Sequence, residues 1–166
     1  MRALIVLFSM TLSTGVAGLK DPSIKKRRES AVYLGKSADL SAIPSLVEAL
    51  SDPHPGVRGD AAQALGRLGD SSAVAALINS LDDPEPLVRA AAIAAIGQIK
   101  DRSAVNPLIG CLQDKEIFIR VGAAEVLGRM GDGRATGPLK KLLEDDLYAE
   151  VREAAEAAIK RIQARH

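Results

Sequence analysis

An aspartate recurs through the chain every 31 residues, at Asp21, Asp52, Asp83, Asp114 and Asp145. An arginine follows the first four of them at a distance of six residues, at Arg27, Arg58, Arg89 and Arg120, whereas seven residues separate Asp145 from Arg152. A carboxylate and a planar guanidinium form charge-assisted, bidentate hydrogen bonds. If the units stack as helices about 9–10 Å apart, each arginine can reach the aspartate of a neighbouring unit.

The pattern therefore predicts a structural Asp–Arg ladder, to which we assign Asp52, Arg58, Asp83, Arg89, Asp114, Arg120, Asp145 and Arg152. The alternative is a row of anion-binding sites. We favour the ladder because structural ion pairs are a common cause of such pairing.

A second set of residues recurs near the predicted ends of the second helix of each unit. It comprises Lys36, Arg67, Gln98, Arg129 and Arg161, with Lys160 as an alternative for the last. We call these five residues the C-terminal row. One interpretation is a mostly basic surface for an acidic protein or peptide partner, beside a shallow groove lined by Gly59, Ala90, Ala91, Ala94 and Gly122. The other is that cations at helix C-termini complement the helix dipole.

Residues that often carry catalysis or bind metals are few. His54 and His166 have no histidine or carboxylate partner at helical ligand spacing, and the chain has no His-Glu dipeptide. Cys111, the single cysteine, has no histidine near it in sequence, so a buried structural role is favoured over a nucleophile. We therefore predict no catalytic residues, no metal and no cofactor.

One dense basic run, residues 25–28 (KKRR), could belong to a nucleic-acid surface. The formal net charge of the chain is only +1, and its aromatic content is 2%. Nucleic-acid binding needs wider basic coverage, and base stacking needs aromatic rings. We therefore interpret the run as the solvated face of a terminal helix, and we predict no nucleic-acid partner.

The elements that position these residues form a 31-residue repeat. Before each Asp, apolar residues follow the i, i+3, i+4, i+7 pattern of one helix face, as in Val74, Leu77, Ile78 and Leu81, and a second series follows the Asp. Self-similarity at this period is typical of a solenoid. We predict an all-α solenoid of four helical hairpins at 38–70, 71–101, 102–132 and 133–166, preceded by an N-terminal capping helix at 19–37.

The borders of the helices have their own signals. Asp52 and Asp83 precede Pro53 and Pro84, which predicts an aspartate cap with proline at the first helical position. Gly66, Gly97 and Gly128 recur within the second helices, where glycine costs about 1 kcal/mol relative to alanine, so we expect close packing or a helix end. Predicted helices run at 22–36, 39–51, 54–68, 71–82, 85–99, 102–113, 116–130, 133–144 and 147–164.

The sequence of the second helix, V-R-x-x-A-A-x-A-L-G-x-L-G-D, stands here as residues 57–70. Together with the P-L-x-x-x-L-x-D section it resembles HEAT repeats, and most closely the short HEAT-like repeats of the phycobilisome-lyase type. The resemblance covers residues 21–164 and implies an Asp–Arg ladder along the stack. It implies little about function, because the family is defined mostly by shape. The acceptor and helper residues of bilin attachment cannot be mapped onto this chain.

The N-terminus has two interpretations. Residues 1–18 contain Arg2, then an apolar stretch from Ala3 to Leu12, then small residues, which is the pattern of a signal peptide. The segment is too short for a comfortable membrane span, and we expect no stable span after cleavage. Alternatively, Leu12, Val16 and Leu19 occupy the positions of Ile43, Val47 and Leu50, so the segment would be the first helix of a terminal repeat. We favour the signal peptide, and hence a secreted or periplasmic location.

These observations favour a non-catalytic scaffold that is exported and binds a protein or peptide partner on the concave face of its second helices. The alternatives are a HEAT-like accessory subunit or enzyme of the bilin-lyase or hydroxylase type, and a structural module that oligomerises through its ends. The single cysteine excludes an intrachain disulfide framework.

Overall fold

A computed structural model describes residues 11–165 of the chain, and within that range all regular structure is helical. The α-helices are α1 (Leu12–Gly18), α2 (Ile24–Lys36), α3 (Ile43–Ala49), α4 (Pro55–Leu68), α5 (Val74–Asn79), α6 (Pro86–Ile99), α7 (Val105–Gly110), α8 (Ile117–Met130), α9 (Thr136–Asp145) and α10 (Ala149–Gln163). We call the odd-numbered helices the first helices and the even-numbered helices the second helices. Successive pairs form an α-solenoid, as the sequence predicted.

The first helices are short because 3₁₀ turns flank them, at Ser71–Ala73 and Ser80–Asp82 around α5 for example. A further recurring aspartate, at Asp39, Asp70, Asp101 and Asp132, begins these turns. Its side chain accepts a hydrogen bond from the backbone N–H two residues later, which satisfies one of the free amides at the start. The predicted first helices therefore lie in the right places, but each is partly a 3₁₀ turn.

The second helices begin one to two residues later than predicted. Pro55 and Pro86 are the first residues of α4 and α6. The prediction that Pro53 and Pro84 occupy this position was wrong, because both lie in the turn before the helix. Gly69 ends α4 with a φ of 73° and Gly131 ends α8 with a φ of 70°, the left-handed conformation that glycine adopts without strain.

The core is built from leucines at equivalent positions of the repeats. Leu46, Leu77, Leu108 and Leu139 of the first helices are fully buried. Leu34, Leu65, Ile96 and Leu127 of the second helices face them and are also fully buried. Because each repeat contributes one thin layer, burial depends on the neighbouring repeats, as expected of a solenoid.

The recurring glycines are sites of close helix packing. A Cβ at Gly66 would lie 2.7 Å from Cα of Ala95 on the next second helix, and one at Gly128 would lie 2.7 Å from Cα of Ala158. Gly35 meets Ala64 in the same way. Consecutive second helices therefore pack closely, while consecutive first helices make few contacts. Because the more closely spaced layer of a curved stack lies on its inside, we expect the second helices to line the concave surface.

The N-terminal end differs from a single unpaired capping helix. Helix α1 packs on α2, and Gly15 is buried there at the position that Leu46 has in the next repeat. A Cβ at Gly15 would lie 2.8 Å from Leu34 Cδ2 and 3.0 Å from Tyr33 Cδ1, so these side chains fill the space. The predicted signal segment also includes residues 1–10, which lie outside the described range, and its cleavage stays a prediction. No helix within residues 11–165 has the length and apolar character needed to cross a membrane.

Candidate functional site

The Asp–Arg ladder runs along the stack at the start of the second helices. Nε of Arg58 lies 2.7 Å from Oδ2 of Asp83, and its Nη2 lies 2.7 Å from Oδ1 of the same carboxylate. Arg89 holds Asp114 in the same bidentate manner at 2.8 and 2.9 Å. Arg27 adds a further pair, with Asp52, at 2.7 and 3.0 Å. Each arginine therefore reaches the aspartate of the next repeat.

The third guanidinium nitrogen binds within its own repeat. Nη1 of Arg58 donates to the carbonyl oxygen of Asp52 at 3.0 Å, and Nη1 of Arg89 donates to that of Asp83 at 2.9 Å. Oδ1 of Asp83 also accepts the backbone N–H of Glu85 at 2.9 Å. All three nitrogens of each interior ladder arginine thus bind partners within the chain itself, so the two-pronged face of the guanidinium is not free for an external anion.

The last pair of the ladder differs from the prediction. Arg120 donates to Asp146, from Nε to Oδ2 at 2.7 Å and from Nη2 to Oδ1 at 3.2 Å. The assignment of Asp145 was wrong, because Asp145 is the exposed last residue of α9. Arg152 donates Nη1 to the carbonyl oxygen of Asp146 at 2.8 Å, but within residues 11–165 no carboxylate pairs with it. No repeat follows in the described chain to supply one.

The ladder carboxylates are ionised more readily than free aspartate. Burial raises the pKa of Asp83, but the hydrogen bonds from Arg58 and from the Glu85 amide outweigh burial and hold it below its ordinary value. The same balance lowers the pKa values of Asp52 and Asp114. For Asp146 the hydrogen bond from Arg120 is the largest influence and also lowers the pKa. These shifts accompany ion pairs that hold repeats together.

The C-terminal row follows the second helices from α2 to α10, and its five residues are all exposed. Oε1 of Gln98 lies 3.1 Å from where a Cβ of Gly66 would be, and Nη2 of Arg129 lies 3.1 Å from where a Cβ of Gly97 would be. Each side chain therefore extends over the glycine of the preceding second helix. Because Gly66 is adjacent to Arg67 and Gly97 is adjacent to Gln98, the middle of the row forms a continuous polar track.

Several grooves lie along the second helices. The largest, about 790 Å³, lies on α2 beside the start of α4, and its lining includes Tyr33 and Lys36. The groove between α4 and α6 has a volume of about 240 Å³, and its lining includes Gly59, Gln63 and Leu87. The groove between α6 and α8 has a volume of about 120 Å³, and its lining includes Ala94, Phe118, Gly122 and Arg129. Leu87 is 70% exposed and Phe118 is 47% exposed, at equivalent positions of consecutive repeats. Of the predicted groove residues, Gly59, Ala90, Ala94 and Gly122 line these grooves, whereas Ala91 is buried, and the sequence did not predict the two apolar residues.

The basic run at 25–28 is not an open basic patch. Arg27 belongs to the ladder, and Nε of Arg28 lies 2.7 Å from Oδ2 of Asp60 on α4. Lys26 pairs with Asp21 at 3.3 Å, and Lys25 has a 3.9 Å contact with Glu29. The Arg28–Asp60 pair was missed because Arg28 has no basic equivalent in the later repeats. The prediction of no nucleic-acid partner stays a prediction.

Cys111 is buried in the layer of first helices, directly after the last residue of α7. Burial raises the pKa of its thiol to about 11, and its Sγ contacts the Pro107 carbonyl oxygen at 3.6 Å. A thiol with a raised pKa is a poor nucleophile at neutral pH. His54 caps α4, because its Nδ1 accepts the Gly56 N–H at 3.1 Å. Among residues 11–165, no three histidine, cysteine or carboxylate side chains form a group that could hold a metal ion.

Comparison with solved structures gives the same architecture. A chain of the complex of CpcE and CpcF of phycocyanin lyase from Nostoc sp. PCC7120 is 27% identical with a TM-score of 0.80, over 93% of this chain and 65% of that chain. The Escherichia coli protein YibA is 24% identical with a TM-score of 0.68, over 92% of this chain and 54% of that chain. A designed armadillo repeat protein in complex with the peptide (KR)4 is 21% identical with a TM-score of 0.70, over 91% of this chain and 81% of that chain.

The chain thus spans only 65% of the length of the lyase chain that it matches. No curated protein sequence matches it. A family model for HEAT repeats matches residues 14–85 and 74–160, which together include nearly all of the described chain. With the stacked helix pairs and the match to the lyase chain, this confirms the resemblance seen in the sequence, and the chain belongs to the HEAT-repeat family.

Proposed function

We propose that this chain is a non-catalytic scaffold that binds a protein or peptide on the concave surface of its second helices. The observation that carries the proposal is the pair of grooves beside Leu87 and Phe118, which leave two large apolar side chains exposed on one face. Apolar residues in concave surfaces commonly anchor a partner.

The rest of the molecule supports a scaffold. The ladder residues are occupied by contacts within the stack, so they hold the shape of the concave surface and do not carry chemistry. The C-terminal row, in contrast, is exposed to solvent along this surface. Two similar structures are themselves assemblies, the CpcE and CpcF complex and the armadillo protein with its peptide. Both support a binding role for this chain.

Site-specific photo-crosslinking tests the proposal. A benzophenone amino acid at Ala94 occupies an exposed position of the second-helix layer, and the same residue at Ala75 occupies an exposed position of α5 in the first-helix layer. In extract of the native host, we expect a discrete polypeptide adduct from position 94 and none from position 75. Adducts of equal yield and identity at both positions would show that the concave surface is not the binding face.

A second candidate function is an accessory subunit of a bilin lyase, favoured by the 27% identity to a chain of the phycocyanin lyase complex. Absorption spectroscopy of the protein mixed with phycocyanobilin distinguishes the two functions. A shifted and intensified bilin band that requires this chain would favour the lyase role. An unchanged spectrum would favour the scaffold.

We also propose that residues 1–18 direct export, so that the scaffold works in the periplasm or outside the cell. The apolar stretch between Ala3 and Leu12 and the small residues after it support this. N-terminal sequencing of the protein purified from its native host tests it. A new N-terminus near Gly18 is expected, and an intact Met1 would contradict export by cleavage.

A further inference from the structure

We propose that the concave surface binds an acidic, extended segment of a partner polypeptide. Its carboxylates lie against Arg67 and Arg129, and its apolar side chains enter the grooves beside Leu87 and Phe118. This inference rests on the proposed function and specifies the chemistry of the partner.

The charge of the C-terminal row is the first argument. Four of its five residues are cations, the fifth is Gln98, and none is an anion. Within residues 11–165, Lys36, Arg67 and Arg161 have no ion pair, and the only acidic contact of Arg129 is with exposed Glu125 at 3.9 Å. The arginines at the start of the second helices, in contrast, are mostly paired. Lys100, Lys115, Lys140 and Lys141 also lack an ion pair within residues 11–165, but the row is the set that places exposed cations at equivalent positions of the second helices.

The close packing of the second helices fixes the positions of these side chains relative to one another. Because helices approach one another at Gly66 and Gly97, Gln98 and Arg129 extend over the preceding repeat. The cations are thereby held along one line, with Glu125 in the lining of the groove between α6 and α8, and with Asp60 and Glu85 in that of the groove between α4 and α6. Such a line favours a negatively charged partner, both by steering its approach and by rejecting basic segments.

The size of the grooves is the second argument. Pockets for small molecules commonly have volumes of about 300–1,000 Å³. The cavity on α2 that includes Lys36 has such a volume, about 790 Å³, but the grooves beside Leu87 and Phe118 are smaller, about 240 and 120 Å³. A groove of this size accepts a single side chain, so a polymer with one side chain per groove fits better than a compact ligand. In the smaller groove, Phe118 supplies an apolar wall and Arg129 supplies a cation.

The spacing of the repeats indicates the conformation of the segment. Packed helices lie about 8–10 Å apart. A polyproline II segment rises about 3.1 Å per residue with three residues per turn, so every third side chain lies on the same face about 9 Å apart. One acidic and one apolar residue in each triplet would match one repeat. Twelve residues then cover the four second helices from α4 to α10.

The test uses a fluorescein-labelled peptide of sequence (Leu-Ser-Glu)4, with (Leu-Ser-Lys)4 and (Gly-Ser-Glu)4 as comparison probes. Binding is measured by fluorescence anisotropy at about 0.15 M salt, where long-range charge effects are screened. We expect the Leu-Ser-Glu probe to bind at least about tenfold more tightly than either comparison probe, a difference of ~1.4 kcal/mol.

Two variants with matched controls locate the site. We expect Arg67→Glu with Arg129→Glu to weaken binding of the Leu-Ser-Glu probe at least about tenfold, while Lys140→Glu with Lys141→Glu, the same charge change on exposed residues of α9, leaves it unchanged. Gly122→Leu should fill the smaller groove and so exclude a side chain of the Leu-Ser-Glu probe. A Cβ at Gly122 would have only one neighbour within 4 Å, at 3.9 Å. Gly137→Leu, at an open position of α9, is its control.

Circular dichroism of each variant establishes that helicity is retained. The inference is overturned if the Leu-Ser-Lys probe binds as tightly as the Leu-Ser-Glu probe, if no probe binds, or if the Arg67 and Arg129 variant binds like wild type. Crosslinking at Ala94 is independent of these probes. A concave adduct with no preference for acidic peptides would therefore leave the proposed function standing and this inference refuted.

Discussion

Arg120 donates from Nε to Oδ2 of Asp146, 2.7 Å away. It does not pair with Asp145, the residue expected from the 31-residue interval. The extra residue of the last repeat therefore lies before the ladder aspartate. It lengthens the helical segment from the nine residues of α5 and its following 3₁₀ turn (Val74–Asp82) to the ten residues of α9 (Thr136–Asp145). Counted from Asp146, Arg152 again follows at six residues. The insertion is absorbed at the end of a first helix, and the ladder keeps its register.

This register predicts that Asp146→Asn destabilises the protein whereas Asp145→Asn does not. The first substitution removes a charged acceptor from a mostly buried pair, which typically costs about 1–3 kcal/mol. The second changes an exposed residue at a helix end. Urea denaturation followed by circular dichroism measures both. Equal midpoints for the two variants would show that the ladder does not end at Asp146.

Arg89→Ala is expected to lower the free energy of unfolding by about 1–3 kcal/mol. Arg89 is only 6% exposed, and its removal leaves the Asp114 carboxylate without its bidentate partner. Arg152→Ala is the matched control, because Arg152 occupies the same position in its repeat but pairs with no carboxylate in residues 11–165. Thermal and urea unfolding should show the larger loss for Arg89. A loss of equal size in the two variants would mean that the carboxylate contact contributes nothing.

The sequence predicted the repeat, the helices to within a few residues and most of the ladder, because a 31-residue period repeats the same local signals several times. It missed features that occur once. The pairing of Asp146 depends on where an inserted residue is absorbed, and Arg28 of the Arg28–Asp60 pair has no basic equivalent in the later repeats. The exposure of Leu87 and Phe118 was missed for another reason. Both belong to apolar stretches, and only the packing of neighbouring helices decides which of their residues face solvent.

Acid should destabilise the stack through the ladder carboxylates. Burial raises the pKa of Asp83, yet the Arg58 and amide hydrogen bonds bring it below its ordinary value, and Asp52 and Asp114 behave alike. A carboxyl with a lower pKa in the folded than in the unfolded state stabilises the fold above the unfolded value of about 3.9. That contribution is lost as the pH falls toward the folded pKa values.

We therefore expect the melting temperature to fall steeply below about pH 4. Differential scanning calorimetry between pH 7 and pH 2 measures this. Asp83→Asn removes one of the carboxyls, so its melting temperature should depend less on pH in the same window. An unchanged slope would show that Asp83 does not contribute to acid sensitivity.

Cys111 should react slowly with iodoacetamide in the folded protein at pH 8. Burial raises the pKa of the thiol to about 11, so little thiolate is present, and the side chain is largely shielded from the reagent. Mass spectrometry after timed quenching measures the extent of alkylation. In 8 M urea the same thiol should react at a rate typical of free cysteine, and equally fast alkylation of the folded protein would contradict the buried position.

Substitution by alanine at two glycines of α4 should change the stability of the protein in opposite directions. A Cβ at Gly66 would lie 2.7 Å from Cα of Ala95, so Gly66→Ala must push two second helices apart and is expected to destabilise the protein by about 1–3 kcal/mol. A Cβ at Gly59 has no neighbour within 4 Å. Gly59→Ala should therefore stabilise the helix by up to about 1 kcal/mol, the difference in helix propensity.

Urea denaturation of the two variants compares an identical chemical change within one helix, so helix propensity affects both alike and only the contact with α6 differs. If Gly66→Ala were as stabilising as Gly59→Ala, the second helices would not be held together at this glycine. The glycine contacts also position the C-terminal row, because Gln98 extends over Gly66. Gly66→Ala should consequently weaken binding of the acidic probe, whereas Gly59→Ala should leave the arrangement of Arg67, Gln98 and Arg129 intact.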